Sequence, residues 1–301
     1  MLDGQRDPRH ALPHGVHVDL QPDEPHHMHA SRAHPHTVHL DHQPDEPHDM
    51  HPHASLAHVH GSSAPPSPGG LLVTVPGRRT APGEADPWSG GDAYAAALRS
   101  GHGPLYLRQG DGRRHPLDVA RWCAPPDADD RRVLSACRGA VLDVGCGPGR
   151  MVAALAAGGR PALGVDVSAE AVRRTVAAGG RALRRSVFEP LPGEGAWHTV
   201  LLLDGNIGIG GDPAALLARA RRLVHPRGRL IAESVAPGLP DDLDERFEAR
   251  FDDGSGPRGE PFPWARVGPG ALLRHAAAGG WRFSTSWASG SRRFTVLRPL
   301  P

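Results

Sequence analysis

Cysteine is scarce in this 301-residue chain, which holds three: Cys123, Cys137 and Cys146. An odd number with no zinc-like pair argues against both a disulfide scaffold and a structural metal. Long apolar runs are missing, so no segment reaches the length of a membrane-spanning helix. The N-terminus lacks the basic-then-apolar profile of a secretory leader, and a cytoplasmic protein is expected. A large excess of one charge is absent too, the net charge being +1. Residues 1–60 carry nine acids against three arginines, a balance of −6, which leaves +7 on the remaining 241 residues. Arginines scattered at that density read as solvated surface, not as a nucleic-acid footprint.

Large apolar residues are also few in the first seventy positions. Fifteen of the twenty histidines lie before residue 61, among Pro, Asp and Glu. Such a composition buries too little surface to offset the entropy of ordering it, so 1–70 is expected to be a disordered tail. It contains a repeat at an offset of 22 residues: VHVDLQPDEPHHMH (16–29) returns as VHLDHQPDEPHDMH (38–51). Neutral imidazoles beside carboxylates hold Ni²⁺, Zn²⁺ or Cu²⁺ loosely, so weak divalent transition-metal binding is the most the tail predicts. A functionally minor extension, a metal buffer and a partner-binding tail all fit it. About 230 residues then remain, enough for one well-packed domain with an appendage.

The body divides at about residue 138. Segment 71–138 reads as a helical cap, with helices at 92–100 and 127–137 and an alternating stretch around PLYLR (104–108). From 139 onward strand and helix alternate. Apolar runs at 140–145, 162–167, 182–188, 199–204 and 227–235 predict buried strands, and 150–159, 168–180 and 212–226 predict helices between them. That order predicts a doubly wound, mainly parallel sheet. A hairpin is expected at about 245–268, a helix at 269–280, and two closing strands around Ser289-Gly290.

Two glycine-rich stretches compete for a ligand. VLDVGCGPG (141–149) follows a strand and opens a helix, so its glycines bring backbone N–H groups and a helix N-terminus against a ligand. LLLDGNIGIGGDP (201–213) also follows a strand. A dinucleotide G-x-G-x-x-G counted from Gly145 requires glycine at 150, where this chain has Arg150, and Pro148 is unusual inside such a turn. Asp166, at the end of the next strand, is placed to accept from ribose hydroxyls of any adenosine cofactor.

The whole string VLDVGCGPGRMVAALAAGG…GVDVS resembles the first two cofactor motifs of class I S-adenosylmethionine-dependent methyltransferases. The resemblance covers about 140–235, and the helix-then-two-strands ending (269–299) is similar to the family's reversed final hairpin. It implies a seven-stranded Rossmann-like methyltransferase fold with S-adenosylmethionine as cofactor. Gly145, Cys146, Gly147 and Gly149 would pack on the amino-acid and sugar part, Asp143 would orient the loop or the methionine ammonium, and Asp166 would hold the ribose. After the third strand the family often has an acid and a small residue at the adenine. Here Ser186-Val187 takes that place, with Val167 and Phe188 as packing candidates.

The implied activity is methyl transfer to a small molecule. Asp204 and Asn206, at the end of the fourth strand, are the catalytic candidates: Asp204 as base or orienting group, Asn206 as hydrogen-bond partner, with bracing of the loop the alternative for both. DGNI stands where base N-methylators of nucleic acid carry Asn/Asp-Pro-Pro-aromatic, which argues against that substrate. His198 precedes the strand and is expected at the wrong end of the sheet. Tyr94, Tyr106, Arg121, Trp122 and Trp264 are candidates to roof the pocket, and Gly205, Gly208, Gly210 and Gly211 to let backbone approach the cofactor's sulfonium. An NAD-type oxidoreductase, or a non-catalytic cofactor-binding or metal-handling protein, are the alternatives.

Overall fold

The computed structural model describes residues 91–301, with side chains from Ala93 onward. The histidine-rich segment with its repeat, and positions 71–90 of the expected cap, lie outside the described residues.

The chain enters through α1 (Gly91–Ser100), β1 (Tyr106–Gln109), β2 (Arg114–Pro116), α2 (Val119–Cys123) and α3 (Ala128–Ala136). Asp118 caps α2, and Asp127 caps α3 through a reciprocal box with Asp130, so the acid-rich starts satisfy free helix N–H groups. The alternating part follows: β3 (Val141–Val144), α4 (Arg150–Ala157), β4 (Ala162–Asp166), α5 (Ala169–Ala177), β5 (Ala182–Arg184), β6 (Trp197–Leu202), α6 (Pro213–Leu223) and β7 (Val224–Ser234). The end is a hairpin of β8 (Asp244–Asp252) and β9 (Pro257–Val267), then α7 (Pro269–Ala278), β10 (Trp281–Ser289) and β11 (Arg292–Pro299).

Seven strands form one sheet in the order β10-β11-β7-β6-β3-β4-β5. The five from β7 to β5 pair in parallel, and β11 runs antiparallel between β7 and β10. Successive residues of the central strands serve opposite faces, as the pleat dictates. Leu142, Val144, Val200 and Leu202 pack with Leu216, Leu217 and Leu272 of α6 and α7. Val141 and Leu201 pack with Val133, Met151 and Leu155 of α3 and α4. Helices on both faces explain why VLDV is buried at all four positions.

A second, antiparallel sheet has the order β2-β1-β8-β9. It pairs Leu107 with Phe251, joining the entry segment to the late hairpin. Its core is Leu98, Leu105, Leu107, Val119, Ala249, Phe251 and Phe262.

Several boundaries differ from the sequence reading. The strand expected at 182–188 stops at Arg184, and the next residues turn. Helix α6 ends at Leu223 and β7 begins at Val224, because Pro226 cannot continue a helix and is taken up where the β6–β7 register shifts. Residues 103–126, where PLYLR suggested only alternation, hold the short α2 as well as β1 and β2. Among the described residues no helix is long and apolar enough to cross a membrane.

Candidate cofactor and substrate site

The first glycine loop folds back over β4. The amides of Gly145 and Cys146 both donate to the Val165 carbonyl, at 2.8 and 3.1 Å. Gly145 has φ +69°, and a Cβ there would lie 2.5 Å from Nδ2 of Asn206. That nitrogen donates to the carbonyls of Val144 and Gly145, each at 2.9 Å. Asn206, the chain's single asparagine, thereby stitches the second glycine loop to the first. Asp166 accepts from the amides of Gly147 at 2.9 Å and Ser168 at 2.8 Å. Burial pushes its carboxyl up to about 6 despite those donors. Asp143 is pushed up to about 7, by burial first, with Arg150 opposing and Asp204, Asp166 and Asp130 adding to the rise. Two buried acids with raised pKa values suit a ligand that brings its own cation and hydroxyl donors.

A cavity of about 210 Å³ lies over the C-terminal ends of β3, β4 and β5. Gly145, Asp166, Val167, Ser186, Val187, Asp204 and Asn206 line it. Asp143, Cys146, Gly147 and Gly149 stand behind that wall: Asp143 is buried in β3, and the Cys146 thiol, held well up by burial, faces Thr175. Ser186 and Phe188 form a tight turn in which the Phe188 amide donates to Ser186 Oγ. The Val187 carbonyl is occupied by Nε of Arg219 at 2.7 Å. Phe188 is on the wall and 44% exposed, so core packing does not account for it.

The cap closes this cavity with aromatic rings. Tyr94 stacks on Phe251 at 5.4 Å and meets Trp122 edge-on at 6.3 Å, while Phe262 touches both Phe251 and Trp264. The Tyr94 hydroxyl is held well above its ordinary pKa by burial and then by Asp166, so it stays protonated. Tyr106 is not part of the wall; it lies under Arg114, 5.3 Å away. The second loop's glycines serve the cap more than the cofactor. A Cβ on Gly208 would sit 2.0 Å from the Ala265 carbonyl of β9, and one on Gly211 2.8 Å from Pro263. Gly210 alone of the four lines the first cavity.

Asp204 is the most constrained residue of the site. Its φ is +56°, the one positive value at a non-glycine among the described residues. Its carboxylate meets Arg121 at 2.5 Å, Arg150 at 2.8 Å and Arg292 at 3.4 Å. Burial raises its pKa, but Arg150, Arg121 and Arg292 outweigh burial and hold it below the usual carboxylate range. Arg150 also grips Asp130 through two bonds, and Arg292 bridges Asp130 and Glu233. Three guanidiniums and three carboxylates thus form one largely buried network, with Asp118 and Asp127 at its edge, 3.5 Å from Arg121 and 3.9 Å from Arg292. A carboxylate so held is a poor proton acceptor, so bracing, not base catalysis, is the role this geometry supports for Asp204. Asn206, whose Nδ2 is spent on two carbonyls, is placed to brace the loop in the same way. All of the network's cations are arginine, as are all 34 basic residues of the chain. His198 lies at the start of β6, stacked on His225 at 4.9 Å and away from the site.

A second cavity, of about 420 Å³, opens over the ends of β6 and β7. It shares Leu107, Leu117, Trp122, Asp204 and Trp264 with the first and adds Arg121, Glu233 and Ser234. Among the described residues no cluster of three or more His, Cys, Asp or Glu is placed to hold a metal.

The strand order with its reversed penultimate strand, and the glycine loop and acid at the ends of β3 and β4, define a Rossmann-like methyltransferase fold. Residues 141–228 match the family model described as a methyltransferase domain. A S-adenosylmethionine-dependent methyltransferase from Bacteroides fragilis, solved with S-adenosyl-L-homocysteine, is similar at TM-score 0.58 and 20% identity, over 71% of this chain and 97% of that one. The CcbJ methyltransferase from Streptomyces caelestis is similar at TM-score 0.46 and 16% identity, over 60% and 92%. An uncharacterized 37.1 kDa protein in transposon TN4556 of Streptomyces fradiae is 38% identical over 106 residues, 30% of this chain and 28% of its own length. Residues 141–228 are thus similar to a methyltransferase domain, and the chain shares its fold with the Bacteroides fragilis enzyme.

Proposed function

We propose that the protein methylates a small molecule held between the two glycine loops and the antiparallel cap. The observation that carries this reading is that the two cavities meet at one wall, made by Trp122, Trp264 and Asp204. Bound in the first, S-adenosylmethionine would supply a methyl carbon made electrophilic by its sulfonium. In the second, an acceptor stands beside it at the C-terminal edge of the sheet, where open α/β folds place ligands.

Each residue's part follows from its surroundings. Gly145 would give the cofactor a bare backbone surface backed by the rest of the 145–149 loop, Asp166 would accept from its ribose hydroxyls, and Asp143 would provide negative charge from behind that wall. Ser186, Val187 and Phe188 cover the adenine. Asp204 and Asn206 are positioning residues that fix the loop between cofactor and acceptor. The cap rings exclude water, and alignment of nucleophile and methyl supplies most of the rate. Residues 139–301 would be the methyltransferase domain, with 245–268 inserted as half of the cap and 71–138 supplying the other half. Cytoplasmic residence goes with this reading. Weak metal binding by the histidine-rich segment is a separate proposal that rests on its composition alone.

The test is release of S-adenosylhomocysteine from S-adenosylmethionine on addition of fractionated cell extract. Turnover with the low-molecular-mass fraction is expected. Turnover only with the protein or nucleic-acid fraction would contradict the substrate class, and tight binding without turnover in any fraction would favour a non-catalytic cofactor-binding protein.

A further inference from the structure

The chain has six tryptophans, two tyrosines and six phenylalanines, and six of these rings line the first cavity. Two of them, Trp122 and Trp264, also wall the second cavity, where they present flat apolar faces to an acceptor held beside the cofactor. What the second cavity offers besides is decided by which of its polar atoms are still free. The carboxylates there are engaged: Asp204 is held by three arginines, both oxygens of Glu233 accept from Arg292, and Asp118 accepts from the Arg121 amide and meets its Nε at 3.5 Å. The donors are not. Nη1 of Arg121 and Nε1 of Trp122 are buried with no hydrogen-bond partner, and so is Oγ of Ser234, whose residue is 5% exposed. Arg121, Trp122 and Ser234 all line the second cavity, and Trp122 lines both. A buried donor without a partner costs free energy comparable to a lost hydrogen bond, so three in one place point to a partner that arrives from outside.

We propose that the methyl acceptor is a flat conjugated molecule whose carbonyl, carboxylate or phenolic oxygen enters the second cavity and accepts from Arg121 Nη1 and Trp122 Nε1, with Ser234 Oγ as a third partner. An amine cation finds only guanidinium-bound carboxylates there and is disfavoured. This inference rests on the methyltransferase reading and deepens it by naming the acceptor's chemistry.

The test is isothermal titration of the full-length protein, saturated with S-adenosylhomocysteine, using three probes: 2-naphthoate, 2-naphthylmethylammonium and cyclohexanecarboxylate. Naphthoate is expected to bind about tenfold or more tightly than either of the others, the size of one charge-assisted hydrogen bond or one lost ring contact. Substituting Arg121 also frees Asp204 and risks the fold, so the variants are Trp122→Phe, which keeps a ring and removes the N–H, and Ser234→Ala, each checked by circular dichroism. Both should weaken naphthoate, Trp122→Phe by about tenfold. Equal binding of the two naphthalenes, equal binding of naphthoate and the cyclohexane acid, no naphthoate binding to the cofactor-loaded protein, or no loss in either variant would overturn the proposal. Failure of S-adenosylhomocysteine itself to bind would instead remove the reading beneath it.

Discussion

Asp204 carries the sharpest residue-scale consequence. With its carboxylate shared among Arg121, Arg150 and Arg292, Asp204→Asn leaves three guanidiniums, two of them buried, with one counter-charge fewer. The expected cost is about 3–5 kcal/mol, as for other broken buried pairs, seen as a large drop in Tm. The pH–rate profile of the residual activity should keep its shape, whereas loss of a general base would remove its acidic limb. Asp143 gives the opposite sign. Its pKa is about 7 in the fold, against about 4 in an unfolded chain. The wild type is therefore penalised progressively as pH rises from about 4 to about 7, and constantly above that. Asp143→Asn, which cannot ionise, should melt higher than the wild type in the absence of cofactor. The gap should widen from pH 5 to pH 8; a gap that narrows would contradict the uncompensated buried charge.

At the scale of the element, the second glycine loop is a seat for the cap. Gly208→Ala would drive a methyl into the Ala265 carbonyl of β9, with 2.0 Å available where a carbon requires well over 3. The strand must shift, so acceptor KM should rise severalfold with little change in cofactor affinity. Equal loss of both would show that the loop serves the cofactor directly. Most elements of the sheet were legible in the sequence, because a strand buried on both faces writes a continuous apolar run such as VLLL, and helices between such runs write caps and terminators such as Asp212-Pro213 and Gly158. The end of β5 was not, since Ser186-Val187-Phe188 is apolar enough for a strand while its polar groups form a turn.

For the molecule as a whole, the parallel sheet followed from local patterns, but the cap did not. Its central pairing, β1 with β8, joins segments from the two ends of the domain, and nothing near Leu107 or Phe251 in sequence announces the other. The arginine–acid network was equally hidden. Arg121, Asp130, Arg150, Asp204, Glu233 and Arg292 come from six elements or turns and meet only when the sheet is complete. No local signal announced it: that Arg292 is 6% exposed in β11, where a cation needs a partner, shows only in the assembled sheet. Because the network ties α3, α4 and β11 to the loop after β6, the fold and the site should be lost together. Chemical unfolding followed by circular dichroism and by S-adenosylhomocysteine binding should give coincident transitions.

The central claim is that the first glycine loop and Asp166 hold S-adenosylmethionine. Isothermal titration of the wild type and of Asp166→Asn with S-adenosylhomocysteine and with NAD tests it most directly. The wild type should bind S-adenosylhomocysteine at one site per chain, the variant about tenfold or more weakly, and neither should bind NAD. Binding of NAD that depends on Asp166, or binding of S-adenosylhomocysteine indifferent to its loss, would contradict the account.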